Sequence, residues 1–192
     1  MKDVADWDLV ARACKGDPRA FEELIVRYET PLVHFCLRMT GSREDAEDLA
    51  QETFVRVHRY LNRLTPDAKF STAIFGMARN LTLNHLRDSK RRGRGKMSSL
   101  SDESGADIPV TDPSAQSDAL ARHSEMQDLI ERGLAMLSDE HREVIVLREV
   151  EGMDYESIAA VLRCRKGTVK SRLARGRAQL RQHILDLGGE FD

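Results

Sequence analysis

Apolar residues recur at intervals of three and four positions along most of the chain, which is the spacing of one face of an α-helix. Alternating runs of Val, Ile and Thr, which would indicate strands, are scarce. In the first half of the chain the pattern predicts helices over about 6–15, 18–39, 43–64 and 71–87. Pro31 is expected to kink or split the second of these helices.

The second half contains two helices around Ser138-Asp139, a short helix at 155–162 and a longer helix from about 166 to 183. Asp154 is placed to cap the short helix, and a turn at 163–165 separates it from the last one. Six apolar residues are expected to form the buried contact between the two helices around Ser138-Asp139. They are Leu134, Leu137, Val144, Ile145, Leu147 and Val150.

A stretch without helical spacing divides the two halves. It is basic at first and then rich in Ser, Asp, Gly and Pro, so it has too few large apolar residues to offset the entropy lost on ordering. The pattern therefore predicts an all-α fold, with two small helical domains at 1–89 and 118–192 and a flexible linker at 90–117. The linker is either a simple tether or a segment that occupies a channel on a partner.

The last helix is basic on its outer side. Val169, Leu173, Gly176 and Leu180 are spaced to face inward, and no acidic residue lies between Arg163 and Arg181. A short helix, a turn and a basic helix form a helix-turn-helix whose last helix can enter the major groove of DNA. The alternative is an exposed arginine-rich helix that only confers solubility.

Composition changes this picture little. The 192 residues carry a net charge of −2, so the total charge does not indicate a nucleic-acid partner, but basic residues cluster at 87–96 and 163–181. The three cysteines and six histidines show no spacing typical of a metal site, and we interpret the cysteines as reduced. No phosphate-binding glycine loop, nucleophile–base pair, signal peptide or membrane span is apparent. We therefore expect a cytoplasmic protein without catalytic residues, cofactor or small-molecule substrate.

Three segments resemble bacterial sigma factors of the extracytoplasmic-function (ECF) group. DAEDLAQETFVRVH resembles the region that binds core RNA polymerase, and FSTAIFGMARNLTLNHLR the region that opens and recognises the −10 promoter element. GMDYESIAAVLRCRKGTVKSRLARGRAQLR resembles the region that binds the −35 element. The three occur in the expected order and cover nearly the whole chain. The resemblance implies a factor that directs core polymerase to specific promoters and aids their opening.

The resemblance also implies roles for individual residues. The polymerase-binding surface corresponds to Asp45, Asp48, Gln51 and Glu52, although this polar face could also be simply solvated. A loop from Arg63 to Phe70 is expected to capture a flipped base. The residues matching the single-stranded −10 surface are Arg63, Lys69, Phe70, Arg79, Asn80, Asn84, His85 and Arg87. Asn80 and Asn84 could instead satisfy local backbone groups.

Seven residues of the turn and the last helix match the family's surface for duplex −35 DNA. They are Arg165, Lys166, Thr168, Lys170, Ser171, Arg172 and Arg175. Two positions depart from the family pattern. Ile74 stands near a usual Trp, so Phe70 or Phe75 would have to supply the aromatic platform. Arg163 stands where Gly is usual in the turn, so either the turn differs or Arg163 offsets its strain with a phosphate contact.

The implied partners are core RNA polymerase, promoter DNA and an anti-sigma factor. Two other classes remain open from the residues alone. A conventional DNA-binding activator or repressor would explain the helix-turn-helix but not DAEDLAQETF. A protein-interaction adaptor would make the basic helix incidental.

Overall fold

The computed structural model describes residues 5–93 and 117–189, and within these ranges every regular element is helical. The first group of helices comprises α1 (Asp6–Cys14), α2 (Pro18–Thr40), α3 (Arg43–Tyr60) with a 3₁₀ turn at Leu61–Arg63, and α4 (Phe70–Gly93). The second group comprises α5 (Ser117–Ala135), α6 (Asp139–Ile145) with a π-helical turn at Val146–Val150, α7 (Tyr155–Leu162) and α8 (Lys166–Asp186). The all-α, two-domain prediction is confirmed.

Local chemistry sets most of the helix ends. The Ser42 side chain accepts a hydrogen bond from the backbone of Asp45 at the start of α3, and Gly41 ends α2 in the left-handed conformation. The Asp154 side chain accepts from the backbone of Glu156 and Ser157 and so begins α7. These ends lie close to where the sequence predicts them.

Four predictions about the helices and their core need correction. Pro31 lies inside one continuous helix, so of the two expected effects the split is wrong. The fourth helix extends to Gly93, beyond the predicted end at Arg87, so the first residues of the predicted linker are helical. Residues 94–116, the rest of that linker apart from Ser117, lie outside the described residues, and Ser117 begins α5. Val150 is predicted to be buried but is 41% exposed. The prediction assumes regular α-helical spacing, and the π-helical turn at Val146–Val150 changes the direction in which this side chain points.

The core of the first group is aromatic and aliphatic. Phe70 packs edge-on against both Trp7 and Tyr28, and Phe35 packs against Phe75. The core of the second group is aliphatic and holds α8 against α6 and α7 through the buried Val169 and Leu173. The outer side of α8, away from this core, carries its basic residues.

The two groups are in contact. Helix α4 packs against α7, and α2 packs against α5 and α6. The guanidinium of Arg142 donates to the carbonyl oxygens of Leu134, Ala135 and Leu137 at the end of α5, and also to that of Met39 in α2. One arginine thus satisfies free helix-end carbonyls in one group while reaching the other group.

Candidate nucleic-acid interface

Helix α3 presents a polar, acidic face to solvent. Its inner side buries Leu49, Phe54 and Val57, which leaves the opposite side exposed. Asp48, Gln51, Glu52 and Val55 are exposed at helical spacing, as the sequence predicts. This outer side of α3 is called the acidic face below.

Asp45 differs from the other predicted polymerase-binding residues. Its side chain is 40% exposed, and its Oδ2 lies 3.3 Å from Nε2 of His85 on α4. Asp45 therefore lies on the edge where α3 meets α4, between the acidic face and the surface predicted for the −10 element.

The loop between α3 and α4 is fixed at one end by the first helix. The Trp7 indole Nε1 donates a 2.9 Å hydrogen bond to the carbonyl oxygen of Ala68. Arg63 is exposed, with its guanidinium 5.5 Å from the centre of the Tyr60 ring. Lys69 is 70% exposed and forms a 2.7 Å ion pair with Asp154 of the second group. The predicted base-capturing loop is thus a surface feature with a firm attachment.

Neither of the two phenylalanines proposed as an aromatic platform is exposed beside this loop. Phe70 is 1% exposed, Phe75 is 3% exposed and Ile74 is fully buried. The rings fill the core described above, so neither phenylalanine can replace the missing tryptophan in this conformation. The prediction that Phe70 contacts the −10 strand does not fit its position, because its burial makes it a residue that supports the loop.

One side of α4 carries exposed amide and basic side chains. Asn80, Asn84 and Arg87 are exposed, and the Arg87 guanidinium donates to Oδ1 of Asn84 at 3.1 Å. His85 is half-buried between Asp45 and Ser89. Amide groups that can both donate and accept suit the edges of unpaired bases, and the arginine suits phosphate.

Arg79 is also on α4 but faces the second group. Its side chain is 16% exposed, and it donates two hydrogen bonds to the carboxylate of Glu143 on α6. The Nε–Oε2 distance is 2.7 Å and the Nη2–Oε1 distance is 3.1 Å. This guanidinium is therefore engaged within the protein.

Helices α7 and α8 form the predicted helix-turn-helix. Arg163 adopts φ 51° and ψ 47°, the left-handed conformation, so the turn keeps the geometry that usually favours glycine. The alternative that the turn differs is wrong. The strain falls on an arginine at the entrance to the basic helix.

The basic side of α8 is largely exposed. Exposed positions include Arg165, Lys166, Lys170, Ser171 and Arg175, and Thr168 is half-buried. Lys166 forms an ion pair with Glu156 of α7. Arg172 differs from these residues, because its side chain is only 23% exposed and pairs with Glu140 of α6 at 3.0 Å. In this conformation Arg172 points toward α6 and not into solvent.

Glu143 is a buried residue beneath these surfaces that the sequence analysis does not identify. It is 1% exposed, and burial raises the pKa of its carboxyl while Arg79 and Arg172 partly offset that effect. The available signal is its position next to Val144 and Ile145 in a helix predicted to be buried. Its partner lies 64 residues away, which helical spacing alone does not indicate.

Among the described residues no group of three or more His, Cys, Asp or Glu side chains is arranged to hold a metal ion. No described helix is long and apolar enough to cross a membrane.

The comparisons with known proteins agree with this arrangement. Sigma-70 region 2 matches residues 24–92, which hold the acidic face and α4, and Sigma-70 region 4 matches residues 127–180, which hold the helix-turn-helix. The RNA polymerase sigma-H factor of Pseudomonas aeruginosa is 32% identical over 90% of both chains. The chain belongs to the sigma-70 family.

Two further similarities support this assignment. The ECF RNA polymerase sigma factor SigW of Bacillus subtilis is 32% identical over 90% of this chain and 93% of its own. The solved structure of RpoE from Bartonella quintana, in complex with the anti-sigma factor NepR, is 26% identical, with a TM-score of 0.69 over 85% of this chain and 96% of that one. This ECF sigma factor thus shares both its two-region sequence and its fold with relatives of known class.

Proposed function

We propose that this sigma factor assigns one task to each of its three exposed helical surfaces. The acidic face binds core RNA polymerase, the exposed side of α4 with loop 63–69 holds the single-stranded −10 element, and α8 binds duplex −35 DNA. The observation that carries the proposal is the separation of an acidic surface and two amide-rich or basic surfaces on different helices. We keep the predicted division at 1–89, 90–117 and 118–192, with α4 continuing to Gly93 and α5 beginning at Ser117.

The acidic face suits a basic protein groove. Asp48 and Glu52 supply negative charge, and Val55 is an exposed apolar side chain on the same side of α3. A patch that combines charge with a small apolar contact is typical of a protein interface, where charge guides association and apolar contact slows dissociation. We place Asp45 at the margin of this interface because it already faces His85.

Capture of the −10 strand uses Asn80, Asn84 and Arg87 on α4, with Arg63 and Lys69 on the loop. Bases that have left the duplex expose edges that amides can recognise, and the cations neutralise the backbone. His85 lies at the border of this surface. The free energy for opening comes from holding the unpaired strand, so we infer that the chain acts without catalysis or nucleotide hydrolysis.

Binding of the −35 element uses the first turns of α8. Lys170 and Ser171 are placed to approach base edges, while Arg165, Lys166 and Arg175 flank them toward the phosphates. Thr168 contributes through its partly exposed side chain. Arg172 can join them only after leaving Glu140.

We infer a cytoplasmic location and control by an anti-sigma factor. The RpoE neighbour from Bartonella quintana was solved in complex with an anti-sigma factor, and the present chain has the same fold over most of its length. A partner of that class is therefore the expected regulator.

The experiment is in vitro transcription with sigma-free core polymerase and a promoter library. Promoter-specific transcripts that require this chain support the proposal. Specific duplex binding by the free protein without any transcript would favour a conventional activator or repressor. A protein that binds neither polymerase nor DNA would leave only an adaptor role.

A further inference from the structure

The contact between the two helix groups centres on one buried carboxylate. The Glu143 side chain is 2% exposed and receives two hydrogen bonds from Arg79, whose side chain is 16% exposed. Two parallel N–H···O bonds between a guanidinium and a carboxylate form the strongest common geometry for such a pair. The N–H groups on this edge of the Arg79 guanidinium are thus occupied by another part of the same chain.

A second arginine approaches the same carboxylate. Nη1 of Arg172 lies 4.0 Å from Oε1 of Glu143, and Nη2 of Arg172 lies 3.0 Å from Oε2 of Glu140. Arg79 belongs to α4, which we assign to the −10 strand, and Arg172 belongs to α8, which we assign to the −35 element. Glu143 therefore lies between the two proposed promoter-binding helices.

This arrangement cannot contact both promoter elements at once. Elements centred near −10 and −35 are about 25 base pairs apart, or roughly 85 Å along B-form DNA. Arg79 and Arg172 instead converge on one carboxylate oxygen, at 3.1 and 4.0 Å. The helix groups must separate before both elements can be bound.

The other contacts between the groups include the packing of α4 on α7, the hydrogen bond from Arg142 to Met39 and a 2.9 Å ion pair between Arg38 and Glu131. The Lys69–Asp154 and Lys90–Asp139 pairs involve lysines that are 70% and 67% exposed. Exposed pairs of this kind contribute little, because solvent screens them. An open cleft of about 340 Å³ lies where the groups meet, lined by Phe75 of α4 and Met153 beside α7 among others.

We propose that Glu143 is an autoinhibitory latch that holds the two promoter-binding helices together in the free sigma factor. The proposal rests on the assignment of α4 and α8 to the two promoter elements. While the latch is closed, Arg79 and Arg172 are withheld from DNA. Separation of the helix groups releases both arginines together and returns Glu143 to solvent.

The latch has an isosteric test. Glu143→Gln keeps the size of the side chain but removes its charge, which leaves the Arg79 guanidinium half-buried without a full counter-charge. Removing one partner of a buried pair disfavours the closed state far more than removing an exposed partner. Lys90→Gln is the matched control, because it removes a contact between the same helix groups at the exposed rim.

The first measurement is the distance between spin labels on the full chain. Labels at Val26 of α2 and Ala178 of α8, both exposed, report the separation of the groups in a background with Cys14 and Cys164 replaced by serine. The wild-type chain should show one short distance. Glu143→Gln should raise the population at longer distances at least about tenfold, and Lys90→Gln should change it less than about twofold.

Arg79→Gln removes the other half of the pair and should open the chain to a similar extent. If Glu143→Gln proves too unstable to label, the Arg79→Gln chain decides the question alone. Unchanged distances in a folded Glu143→Gln or Arg79→Gln chain would overturn the latch.

The second measurement is binding of mixed-sequence single-stranded DNA 20-mers by the chain without polymerase. Glu143→Gln should bind at least about fivefold more tightly than the wild-type chain. Adding Arg79→Gln to Glu143→Gln should cancel that gain. Equal affinity of the wild-type and Glu143→Gln chains contradicts the proposal that Arg79 is withheld.

The two measurements separate this proposal from the assigned function. Opened distances without any change in DNA affinity would leave Glu143 as a structural clasp and contradict the assignment of Arg79 to DNA. Unchanged distances together with normal promoter-specific transcription would overturn the latch and leave the assignment of the three surfaces intact.

Discussion

The indole Nε1 of Trp7 donates a 2.9 Å hydrogen bond to the carbonyl oxygen of Ala68. These residues lie 61 positions apart, and the bond joins helix α1 to the loop that we assign to base capture. The Trp7 ring also packs edge-on against Phe70, at a centroid distance of 6.0 Å. Helix α1 thus helps to set the position of the loop.

Trp7→Phe should loosen this loop while preserving most of the packing. The phenyl ring can still contact Phe70, but the Ala68 carbonyl loses its donor, at a cost of about 1 kcal/mol. We expect faster hydrogen exchange at residues 65–69 and less permanganate reactivity of unpaired thymines in promoter complexes. Binding of duplex −35 DNA should not change. Normal promoter opening in a folded Trp7→Phe chain would show that the loop does not need this anchor.

Arg163→Gly tests the strain in the turn of the helix-turn-helix. Arg163 has φ 51°, where a non-glycine residue costs on the order of 1 kcal/mol. Glycine should therefore raise the free energy of unfolding by roughly 0.5–1 kcal/mol, part of the relief being lost to the greater entropy of the unfolded chain. Urea denaturation measures this change.

The matched control is Arg165→Gly, since Arg165 has φ −75° and gains nothing from glycine. If Arg163 also contacts a phosphate, Arg163→Gly should reduce the slope of log affinity against log salt by about one. A less stable Arg163→Gly chain would contradict the assignment of strain to this position.

Local features of this fold could be predicted from the sequence, whereas contacts between distant helices could not. The caps at Ser42 and Asp154 and the left-handed turn depend on neighbours within a few positions, so local patterns predict them. The Glu143–Arg79 pair depends on how helices far apart in the chain pack together. Helical spacing identifies a buried face but not which distant side chain will meet it.

Phe70 and Arg172 illustrate the same difference. Family motifs place both at DNA, but the folded chain buries Phe70 against Trp7 and turns Arg172 toward Glu140. A motif gives the identity of a residue on a helix. Its exposure depends on tertiary contacts that only the structure supplies.

Glu151 should make stability depend on pH. Its Oε1 is buried without a hydrogen bond to any residue in the described ranges, and burial raises its pKa from 4.5 to about 7, an effect that Arg38 partly offsets. Between these two values the folded chain keeps a proton that the unfolded chain has released. The free energy of unfolding should therefore fall as pH rises through this window.

Glu151→Gln should remove that dependence and stabilise the chain at pH 8 by roughly 1–2 kcal/mol, allowing for partial solvent screening. Urea denaturation at several pH values measures it. The lowered pKa of His34 contributes with the opposite sign, so the difference between wild-type and Glu151→Gln chains isolates Glu151. A difference that stays constant from pH 5 to pH 8 would show that Glu151 does not titrate there.

Asp48→Arg should abolish binding to core polymerase without unfolding the chain. Asp48 is exposed at the centre of the acidic face, and a reversed charge opposes the basic partner that we propose. Sedimentation with core polymerase measures assembly. Glu47→Arg is the matched control, since Glu47 is exposed on the same helix but pairs with Arg43 away from that face. Equal holoenzyme assembly by the wild-type and Asp48→Arg chains would remove the docking assignment.

Sequencing of transcripts from a randomised promoter library, made with core polymerase and this chain, tests the division of labour among the helices most directly. The wild-type chain should select two separate blocks of sequence. Lys170→Ala should relax selection only in the upstream block, and Asn80→Ala only in the downstream block, each by about 1–3 kcal/mol at the contacted position. Selection of a single block, or loss of the same block in both variants, would contradict the assignment of α4 and α8 to different promoter elements.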